Sequence, residues 1–433
     1  MNEIYQFPLK QHIGKNAVPF VVEGDSVQRG QLLAFQEENT LGANIYSSVT
    51  GKITKITETS IFVEAADTQT DDYIKLKSDT PLELIKEAGI VGLGGAGFPT
   101  YAKFSKPFTA GGTVIINAAE CEPILSHNIA RIEKNPTQLL RGLEIAMTVS
   151  HADGGVIAIK GCHPKAIEAL KKQNKNPAVS IALLPDMYPM GEERAIIREV
   201  IKNLLPVTAL PMEAGAIIIN AETACRIQEA VDLKKPLIDK DMTVGGKIAG
   251  NSQDSLIQIF ENVPIGISVG RMFEKAGGLA ETYGELIMGG PFTGKRTSLD
   301  APVLKTTGGL LASECFPKAP DKIGLLVCAC GANKERLEEL AASLGSKVVG
   351  TEYCKQAKEV KGNLKCENPG HCPGQVQKIM ALKKAGASSV LISNCTDCSN
   401  TVMSCAPKLG LSVYHCTDGP LRAVNKKLIR KIK

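Results

Sequence analysis

Between residues 80 and 235 the chain alternates short apolar runs with longer amphipathic stretches. The apolar runs are rich in β-branched residues and predict four strands, at Val114–Asn117, Val156–Lys160, Val179–Leu184 and Ala216–Asn220. The stretches between them predict three helices, at Pro136–Val149, Pro164–Lys172 and Glu192–Asn203. Alternation of this kind predicts an α/β sheet that is covered by helices.

Residues 321–433 show the same alternation. Four strands are predicted, at Ile323–Val327, Lys347–Gly350, Ser389–Ser393 and Leu411–Tyr414. Four helices are predicted between and after them, at Lys334–Leu344, Gly374–Lys384, Ser399–Leu409 and Gly419–Lys427. We expect a doubly wound α/β domain, and if its strands are parallel, their carboxyl ends share one edge of the sheet.

The N-terminal part of the chain, residues 1–70, has a different pattern. It contains β-branched runs around Gly turns, such as Val22–Val27 and Val49–Ile53. The pattern resembles the barrel-sandwich hybrid fold of biotinyl and lipoyl carriers. The hairpin tip near residues 39–44 has no lysine for attachment of a cofactor, so we interpret this module as a docking or structural element.

Residues 236–310 predict a small α+β module. Its short strands, at Met242–Ala249, Leu256–Phe260 and Glu285–Met288, surround one amphipathic helix at Val269–Ala276. The whole chain is therefore predicted to be a multidomain α/β protein with four parts, at residues 1–70, 80–235, 236–310 and 321–433.

The composition is that of a globular protein. The 433 residues suffice for about three cores, with 43% hydrophobic and 22% charged residues. Few aromatic residues (4%) argue against a platform for single-stranded nucleic acid, and a net charge of +5 indicates no particular partner. The N-terminus lacks the features of a signal peptide, and no apolar run approaches the ~18 residues that span a bilayer. We expect a cytoplasmic protein without direct membrane insertion.

The segment Gly92–Pro99 carries four glycines within six residues. It lies between a helix predicted over Leu82–Ala88 and a short helix expected to begin near Pro99. Glycines leave the backbone amides bare, and bare amides beside a helix N-terminus bind phosphate. Lys103 would add a positive charge. The spacing matches neither the dinucleotide fingerprint nor a Walker loop, so a tight turn without a ligand is the competing interpretation.

Polar side chains stand at or just after the ends of predicted strands in the same segment. They are Asn117, Glu120, Tyr188 and Asn220. Because ligands of α/β sheets bind beyond the carboxyl ends of the strands, we expect these side chains to converge. With the Gly-rich loop, they favour a phosphate-bearing cofactor. Carboxylates on both sides of Cys121 are expected to disfavour its thiolate.

Ten of the thirteen cysteines lie at Cys315 or later, which in an intracellular chain indicates metal or redox chemistry rather than structural disulfides. Eight of them stand at strand ends or in a Gly/Pro-rich loop that could close over those ends. These eight are Cys328, Cys330, Cys354, Cys366, Cys372, Cys395, Cys398 and Cys416. Parallel strands would gather these thiols at one edge of the sheet.

Three uses of these thiols remain open. Cys395 and Cys398 form a Cys-x-x-Cys pair at a helix N-terminus, which favours the thiolate of a redox-cycling dithiol, and Cys328 and Cys330 form a tighter pair. Alternatively, four of the strand-end thiols hold an iron–sulfur cluster. The third use is structural zinc. Cys405 lies in the middle of a predicted helix and is interpreted as core.

Residues 5–312 resemble the RnfC component of the Rnf electron-transport complex. The likeness is carried by Pro8–Gly14, Gly89–Thr100, Ala119–Pro123, Tyr188–Gly191 and Ile287–Pro291. The same core is similar to the NADH- and flavin-binding subunit of respiratory complex I. The resemblance implies an FMN- and NADH-binding domain at residues 80–235 and a soluble-ligand-binding β-grasp (SLBB) module at residues 236–310.

The resemblance also implies which residues meet the cofactors. The FMN site would consist of Gly92, Gly94, Gly95, Lys103, Asn117, Glu120, Tyr188, Gly191, Asn220 and Thr223. Glu122, Glu192 and Glu193 would lie near the nicotinamide. The chain lacks the ferredoxin-type cysteine runs of RnfC proteins. Val91 and Leu93 stand where the complex I loop has arginines, which leaves NADH binding open.

The cysteine-rich segment narrows the resemblance. Val327–Gly331, Cys366–Gly374 and Asn394–Asn400 are similar to the proline-reductase-associated electron-transfer proteins (the PrdC family) of amino-acid-fermenting anaerobes. This likeness implies a flavoprotein that takes electrons from NADH or an Rnf-type donor. FMN and the C-terminal thiols, as a dithiol or an iron–sulfur cluster, would pass them to the selenoenzyme D-proline reductase. The alternatives are a membrane-docked Rnf-type subunit and a non-catalytic zinc-containing scaffold.

Overall fold

The computed structural model describes residues 3–249 and 256–430, so the ends of the first and last predicted parts, and residues 250–255 within the third, lie outside the described residues. The strands of the described residues form six sheets. No helix in these ranges combines the length and the hydropathy needed to cross a bilayer.

The N-terminal part consists of two small antiparallel sheets that share one core. Its strands are β1 (Ile4–Pro8), β2 (Val18–Pro19), β3 (Ser26–Val27), β4 (Leu32–Phe35), β5 (Ile45–Tyr46), β6 (Gly51–Ile56) and β7 (Ser60–Ala65). One sheet has the order β1-β7-β6-β3 and the other has the order β2-β4-β5. Phe7, Leu33 and Ile61 are fully buried in the core that the two sheets share.

The second part is a parallel sheet with helices on both faces. Its elements are α1 (Pro81–Glu87), α2 (Thr100–Phe104), β8 (Thr113–Ala118), α3 (His127–Lys134), α4 (Pro136–Ser150), β9 (Gly154–Lys160), α5 (Pro164–Gln173), β10 (Val179–Leu184), α6 (Glu193–Ile201), β11 (Ala216–Asn220) and α7 (Ala221–Asp232). The strand order is β10-β9-β8-β11. Alternate residues face opposite sides: Ile116 packs with α4 and α7, and Ile115 packs with α6.

The strand order of this sheet reverses between β8 and β11. The chain runs outward from β8 to β9 and β10, then returns to place β11 on the other side of β8. Such a reversal opens a crevice beyond the carboxyl ends of the two strands, because their connections leave in opposite directions. Asn117 of β8 and Asn220 of β11 are paired in register at this point.

The third part is a five-stranded mixed sheet with one helix. Its elements are β12 (Asp239–Gly246), β13 (Ile257–Pro264), α8 (Val269–Lys275), β14 (Leu286–Met288), β15 (Lys295–Arg296) and β16 (Gly309–Ala312). The strand order is β13-β12-β16-β14-β15. Met242, Val244 and Phe273 belong to the same hydrophobic core as Phe7 and Leu33, so the first and third parts fold against each other.

The fourth part is a second parallel sheet. Its elements are β17 (Lys322–Val327), α9 (Lys334–Ser343), β18 (Lys347–Tyr353), β19 (Ala357–Val360), β20 (Asn363–Cys366), α10 (Val376–Lys384), β21 (Ser389–Ile392), α11 (Thr396–Cys405), β22 (Ser412–His415) and α12 (Asp418–Ala423). Four parallel strands have the order β18-β17-β21-β22, and β19 pairs with β20. The strand order therefore reverses between β17 and β21, as it does between β8 and β11.

Three predictions about local structure need correction. The helix expected near Pro99 is a single turn, Thr100–Phe104. Cys366 ends a strand of the hairpin β19–β20 rather than lying in a loop, because Lys361 and Gly362 both take positive φ and form its turn. The helix predicted over 399–409 starts earlier, at Thr396, and Cys405 is its last residue rather than its middle.

A buried network of ion pairs joins α7 to β12. Arg226 on α7 donates to Asp241 on β12 (2.9 Å), and Arg131 on α3 contacts the same carboxylate through two 2.7 Å bonds. Lys240 forms an ion pair with Glu222 on α7. All five side chains are buried. Burial alone would raise the pKa of Asp241, but Arg226 and Arg131 outweigh it and hold that pKa well below its usual range.

Lys305 lies where the first three parts of the chain meet. Its buried ammonium group donates to the carbonyl oxygens of Asn44 (2.6 Å) and Gly89 (2.8 Å). Burial lowers the pKa of Lys305 to about 7. His12 is buried nearby, and the amide of Ala43 donates to its Nε2 (3.1 Å), which requires a lone pair on that nitrogen.

Replacing Arg226 is expected to destabilise the protein strongly. Arg226→Met retains the volume of the side chain but leaves Asp241 and Glu222 without their cation, so we expect the free energy of unfolding to fall by about 3–5 kcal/mol. Urea denaturation measures the change. Arg141→Met is the matched control, because its bidentate pair with Asp232 (3.0 Å) is exposed and contributes about 0.2–1 kcal/mol. Equal losses in the two variants would contradict the prediction.

His12 is expected to make stability depend on pH. Burial, and then the charge of Lys305, lower its pKa from 6.5 to about 4. The unfolded chain therefore takes up the proton first as the pH falls, and stability is lost between about pH 6.5 and pH 4, by about 1.4 kcal/mol per pH unit. Urea denaturation at pH 7 and pH 5 should show a drop in wild type that is about 2 kcal/mol larger than in His12→Gln. Equal drops would show that His12 does not titrate in this range.

Candidate functional site

The Gly-rich loop forms a tight turn with an exposed tip. Val91 and Pro99 pair across its base, and the amide of Gly92 donates to Phe98 (2.9 Å). The tip residues, 94–96, are exposed. Within the described residues, the amides of 94–97 donate to no protein group. A methyl group built on Gly95 would meet nothing within 4 Å. The loop therefore offers free donors and open space.

The N-terminus of α7 lies directly behind this loop. Thr223 accepts a hydrogen bond from the amide of Leu93 (3.1 Å), and Asn220 caps the helix by accepting from Glu222 (2.9 Å) and Thr223 (3.3 Å). A Cβ at Gly94 would lie 2.5 Å from Nδ2 of Asn220, so this position requires glycine. The helix N-terminus beside the loop is thus that of α7, and not that of the helix expected near Pro99.

The two asparagines at the reversal between β8 and β11 complete the crevice. Nδ2 of Asn117 donates to the carbonyl of Gly191 (2.9 Å). Nζ of Lys103 donates to the carbonyl of Ile218 (2.8 Å) and pairs with Glu193 (3.0 Å). Bare amides, a helix N-terminus, amide side chains and one lysine surround the crevice. This donor set suits a phosphate ester, so these residues fit the phosphate end of FMN.

The other predicted carboxylates are occupied by backbone donors. Glu120 accepts from the amide of Ile129 (2.9 Å). Glu122 accepts from the amides of Phe292 (2.8 Å) and Thr293 (2.9 Å), and burial raises its pKa. Glu192 caps α6, where burial likewise raises its pKa. Of the three acidic residues expected near a nicotinamide, only Glu193 lies beside another predicted site residue, Lys103.

Seven thiols form one network at the carboxyl edge of the C-terminal sheet. They are Cys328, Cys330, Cys354, Cys366, Cys372, Cys395 and Cys398. The strand order reverses between β17, which ends before Cys328, and β21, which ends before Cys395. The eighth predicted thiol, Cys416, lies apart from the network, beside His415 (3.7 Å). The expectation that parallel strands gather the thiols is confirmed for the other seven.

A glutamine that the sequence analysis did not single out lies within the thiol network. Gln375 is buried, and its Nε2 is 3.2 Å from the sulfur of Cys354, 3.6 Å from that of Cys372 and 3.7 Å from that of Cys398. Its Oε1 has no hydrogen-bond partner among the described residues. One amide thus donates toward three sulfurs, which stabilises negative charge on them.

Protonation is shared unevenly in the network. Hydrogen bonds from Cys328 and Cys398 lower the pKa of Cys354, and a hydrogen bond from Cys398 lowers the pKa of Cys372 to about 6. The pKa of Cys395, the N-cap of α11, is also lowered, and the first cause is Cys398. The expected direction for Cys395 is confirmed, but a neighbouring thiol causes the shift. Within the described ranges, no three His, Cys, Asp or Glu side chains are already arranged to hold a metal ion.

Cys121 behaves as the sequence predicts. It packs against Gly191, where a Cβ would lie 2.8 Å from its sulfur. Burial, and then the charge of Glu122, raise the pKa of Cys121 to about 12, so its thiol stays protonated.

Comparison with known proteins agrees with this architecture. A model of the Nuo51 FMN-binding domain matches residues 85–229, and a model of the RnfC barrel sandwich hybrid domain matches residues 1–79. Both folds were expected from the sequence and are confirmed. The RnfC protein of the proton-translocating ferredoxin:NAD(+) oxidoreductase complex of Clostridium ljungdahlii is 32% identical over 324 residues, which cover 70% of this chain and 69% of that protein.

The chain belongs to the RnfC-like family. Cobalamin reductase PduS of Salmonella typhimurium is 31% identical over 365 residues, covering 83% of this chain and 73% of PduS. The crystal structure of an NAD+-reducing [NiFe]-hydrogenase in the air-oxidized state is 21% identical with a TM-score of 0.45, covering 54% of this chain and 46% of that one, too remote to carry an argument. The relatives of this RnfC-like chain are oxidoreductase components, and the chain is an electron-transfer subunit of the Rnf type with an FMN-binding domain.

Gly95→Ala separates a ligand site from an empty turn. The added methyl group meets no protein atom, so we expect the free energy of unfolding to change by less than about 0.5 kcal/mol. The methyl would occupy the space of a bound phosphate, so the affinity for FMN should fall at least about tenfold. Fluorescence titration of FMN measures the change.

Gly154→Ala is the control for this prediction. Gly154 starts β9 at the opposite edge of the same sheet, and its Cβ would meet only the Ala178 carbonyl, at 3.6 Å. FMN binding by Gly154→Ala should equal that of wild type. Unchanged affinity in Gly95→Ala would mean that the loop does not hold the phosphate.

Proposed function

We propose that this RnfC-like chain is an electron-transfer flavoprotein that binds FMN in the β8/β11 crevice and uses the C-terminal thiols as its second redox site. Bound FMN would supply the exchange between two-electron and one-electron chemistry. One observation carries the proposal: the unpaired amides of residues 94–97 lie beside the N-terminus of α7, within the segment that the FMN-binding domain model matches.

Each residue of the crevice has a role in this proposal. The amides of the loop and the N-terminus of α7 would bind the phosphate, with Gly92 and Gly95 leaving room for it. Asn117, Asn220 and Thr223 would hold the rest of the cofactor, with Glu120 supporting them. Lys103 would add a positive charge at the edge of the site.

Contact with NADH is proposed at the Lys103–Glu193 edge. Val91 and Leu93, which replace the arginines of complex I, are buried and face away from any substrate. Glu122 and Glu192 are held by backbone amides and would shape the nicotinamide side rather than donate to it. Glu193 is half-exposed and remains available to a polar ligand.

The C-terminal thiols would receive electrons as a dithiol or as an iron–sulfur cluster. Cys395 and Cys398 are adjacent in the network, as are Cys328 and Cys330. The absorption spectrum of anaerobically purified protein, with iron, sulfide, zinc and flavin assays, distinguishes the two. Flavin without metal supports a dithiol, and flavin with iron and sulfide supports a cluster. Zinc without flavin would favour the scaffold alternative and contradict the proposal.

We propose D-proline reductase, a selenoenzyme, as the electron acceptor, and a cytoplasmic location for the chain. The likeness of the C-terminal motifs to the PrdC family supports this acceptor. A second candidate is a membrane-docked component of an Rnf-type complex, which is favoured by the 32% identity to such a protein. Copurification with D-proline reductase supports the first candidate, and copurification with membrane fractions that contain an Rnf complex supports the second.

Loss of the Cys-x-x-Cys pair should separate the two redox sites. In Cys395→Ser with Cys398→Ser, we expect reduction of FMN to proceed as in wild type, because the β8/β11 crevice is intact. Delivery of electrons to the acceptor should fall to the background rate. Stopped-flow absorbance and an acceptor assay measure the two steps.

Cys405→Ser is the matched control. Cys405 belongs to the same helix, α11, but its thiol donates to the carbonyl of Val402 (3.4 Å) and lies outside the network. This variant should transfer electrons normally. Normal delivery by the double variant would exclude these two thiols from the path.

A further inference from the structure

Tyr188 stands between the FMN crevice and the thiol network. Its ring is stacked on Phe292 of the third part, with centroids 3.6 Å apart and parallel planes. The other side of this pair is covered by the edge of His415, 5.3 Å from Phe292. Tyr188 and Phe292 are both buried. Three parts of the chain therefore pack on one aromatic pair.

The polar atoms of Tyr188 point to the thiol domain. Its hydroxyl donates to the carbonyl oxygen of Cys330. Its amide donates to Oγ1 of Thr396 (3.1 Å), and the amide of Thr396 donates back to the carbonyl of Tyr188 (3.3 Å). Thr396 is the first residue of α11 and directly follows Cys395. One tyrosine thus contacts both strand ends that flank the thiol crevice.

The residues after Tyr188 hold the opposite side of the same network. Arg194 on α6 donates to the carbonyls of Cys366 and Glu367 (2.7 Å). Arg198 donates to the side chain of Asn368 (2.6 Å) and to the carbonyl of Pro369 (2.7 Å). These contacts fix the chain that carries Cys366 and leads to Cys372, because each one is a charged donor to an oxygen atom of that loop.

The same segment also touches the FMN crevice. The carbonyl of Gly191, three residues after Tyr188, accepts from Asn117 (2.9 Å). Three residues of extended chain span at most about 11 Å. The crevice and the thiol network are therefore joined by one short stretch of backbone.

We propose that Tyr188 is a positioning residue that holds Cys330 and the N-terminus of α11 against the FMN domain. This inference rests on the proposed function, in which electrons pass between the two sites. It assigns to Tyr188 a role different from the flavin contact that family resemblance implies. The hydroxyl is committed to the Cys330 carbonyl, and one ring face is covered by Phe292, so the side chain is directed at the thiol domain.

Tyr188→Phe tests the proposal because it removes the hydroxyl and keeps the stacked ring. The protein is purified anaerobically without added flavin, and labelling of each cysteine by iodoacetamide is followed by mass spectrometry. Loss of one buried hydrogen bond should speed the labelling of Cys330 and Cys395 about tenfold. The FMN dissociation constant, from fluorescence titration, should stay within about twofold of wild type.

Tyr46→Phe is the matched control. Tyr46 is also buried, and its hydroxyl also donates to a backbone carbonyl, that of Glu87, at a contact between two other parts of the chain. Its removal should leave cysteine labelling unchanged. Phe292→Leu provides a second variant, which removes the stack from the other side and should speed labelling of the same two cysteines.

Two results would overturn the proposal. Labelling in Tyr188→Phe that equals labelling in Tyr46→Phe would show that the hydroxyl positions no thiol. Weakening of FMN binding by more than tenfold with unchanged labelling would make Tyr188 a flavin contact. Because labelling is measured without flavin or acceptor, it tests the position of the thiols even if the proposed function is wrong.

Discussion

The ion-pair network between α7 and β12 is the constraint on which the rest of the structure depends. Charges removed from water are stable only when each one keeps its partners, so the network tolerates one arrangement of α3, α7 and β12. The N-terminus of α7 supplies Asn220 and Thr223 to the Gly-rich loop. The position of the FMN crevice is therefore set by charges on the far turns of the helix that forms its back wall.

Both candidate sites use the same physical solution. In each parallel sheet the strand order reverses once, and connections that leave in opposite directions open a crevice at the carboxyl edge. In the second part this crevice carries amides, asparagines and a lysine, which suit an anionic ligand. In the fourth part it carries thiols and one glutamine amide. The chemistry differs because the residues that follow the strands differ, while the backbone geometry is repeated. Tyr188 and the arginines of α6 then connect the two crevices directly.

Much of the fold could be predicted from local pattern. Strands such as Val179–Leu184 and Ala216–Asn220 occur where continuous apolar runs place them, because parallel strands buried on both faces leave little room for polar residues. The hairpin at 357–366 was missed because its strands are short and polar. Glu122 was assigned to a substrate, but the structure gives it to the amides of Phe292 and Thr293, about 170 residues away in the chain. No local pattern carries that information.

The sequence by itself determined the order of strands and helices, the bare Gly-rich loop and the placement of thiols at strand ends, since each depends on neighbouring residues. Only the tertiary structure decided which helix faces the loop, which seven thiols meet, and that Tyr188 turns toward Cys330, 142 residues later. The physical reason is that stacking, buried ion pairs and hydrogen bonds between distant segments depend on how whole sheets pack. A residue's own neighbours in the chain do not specify that packing.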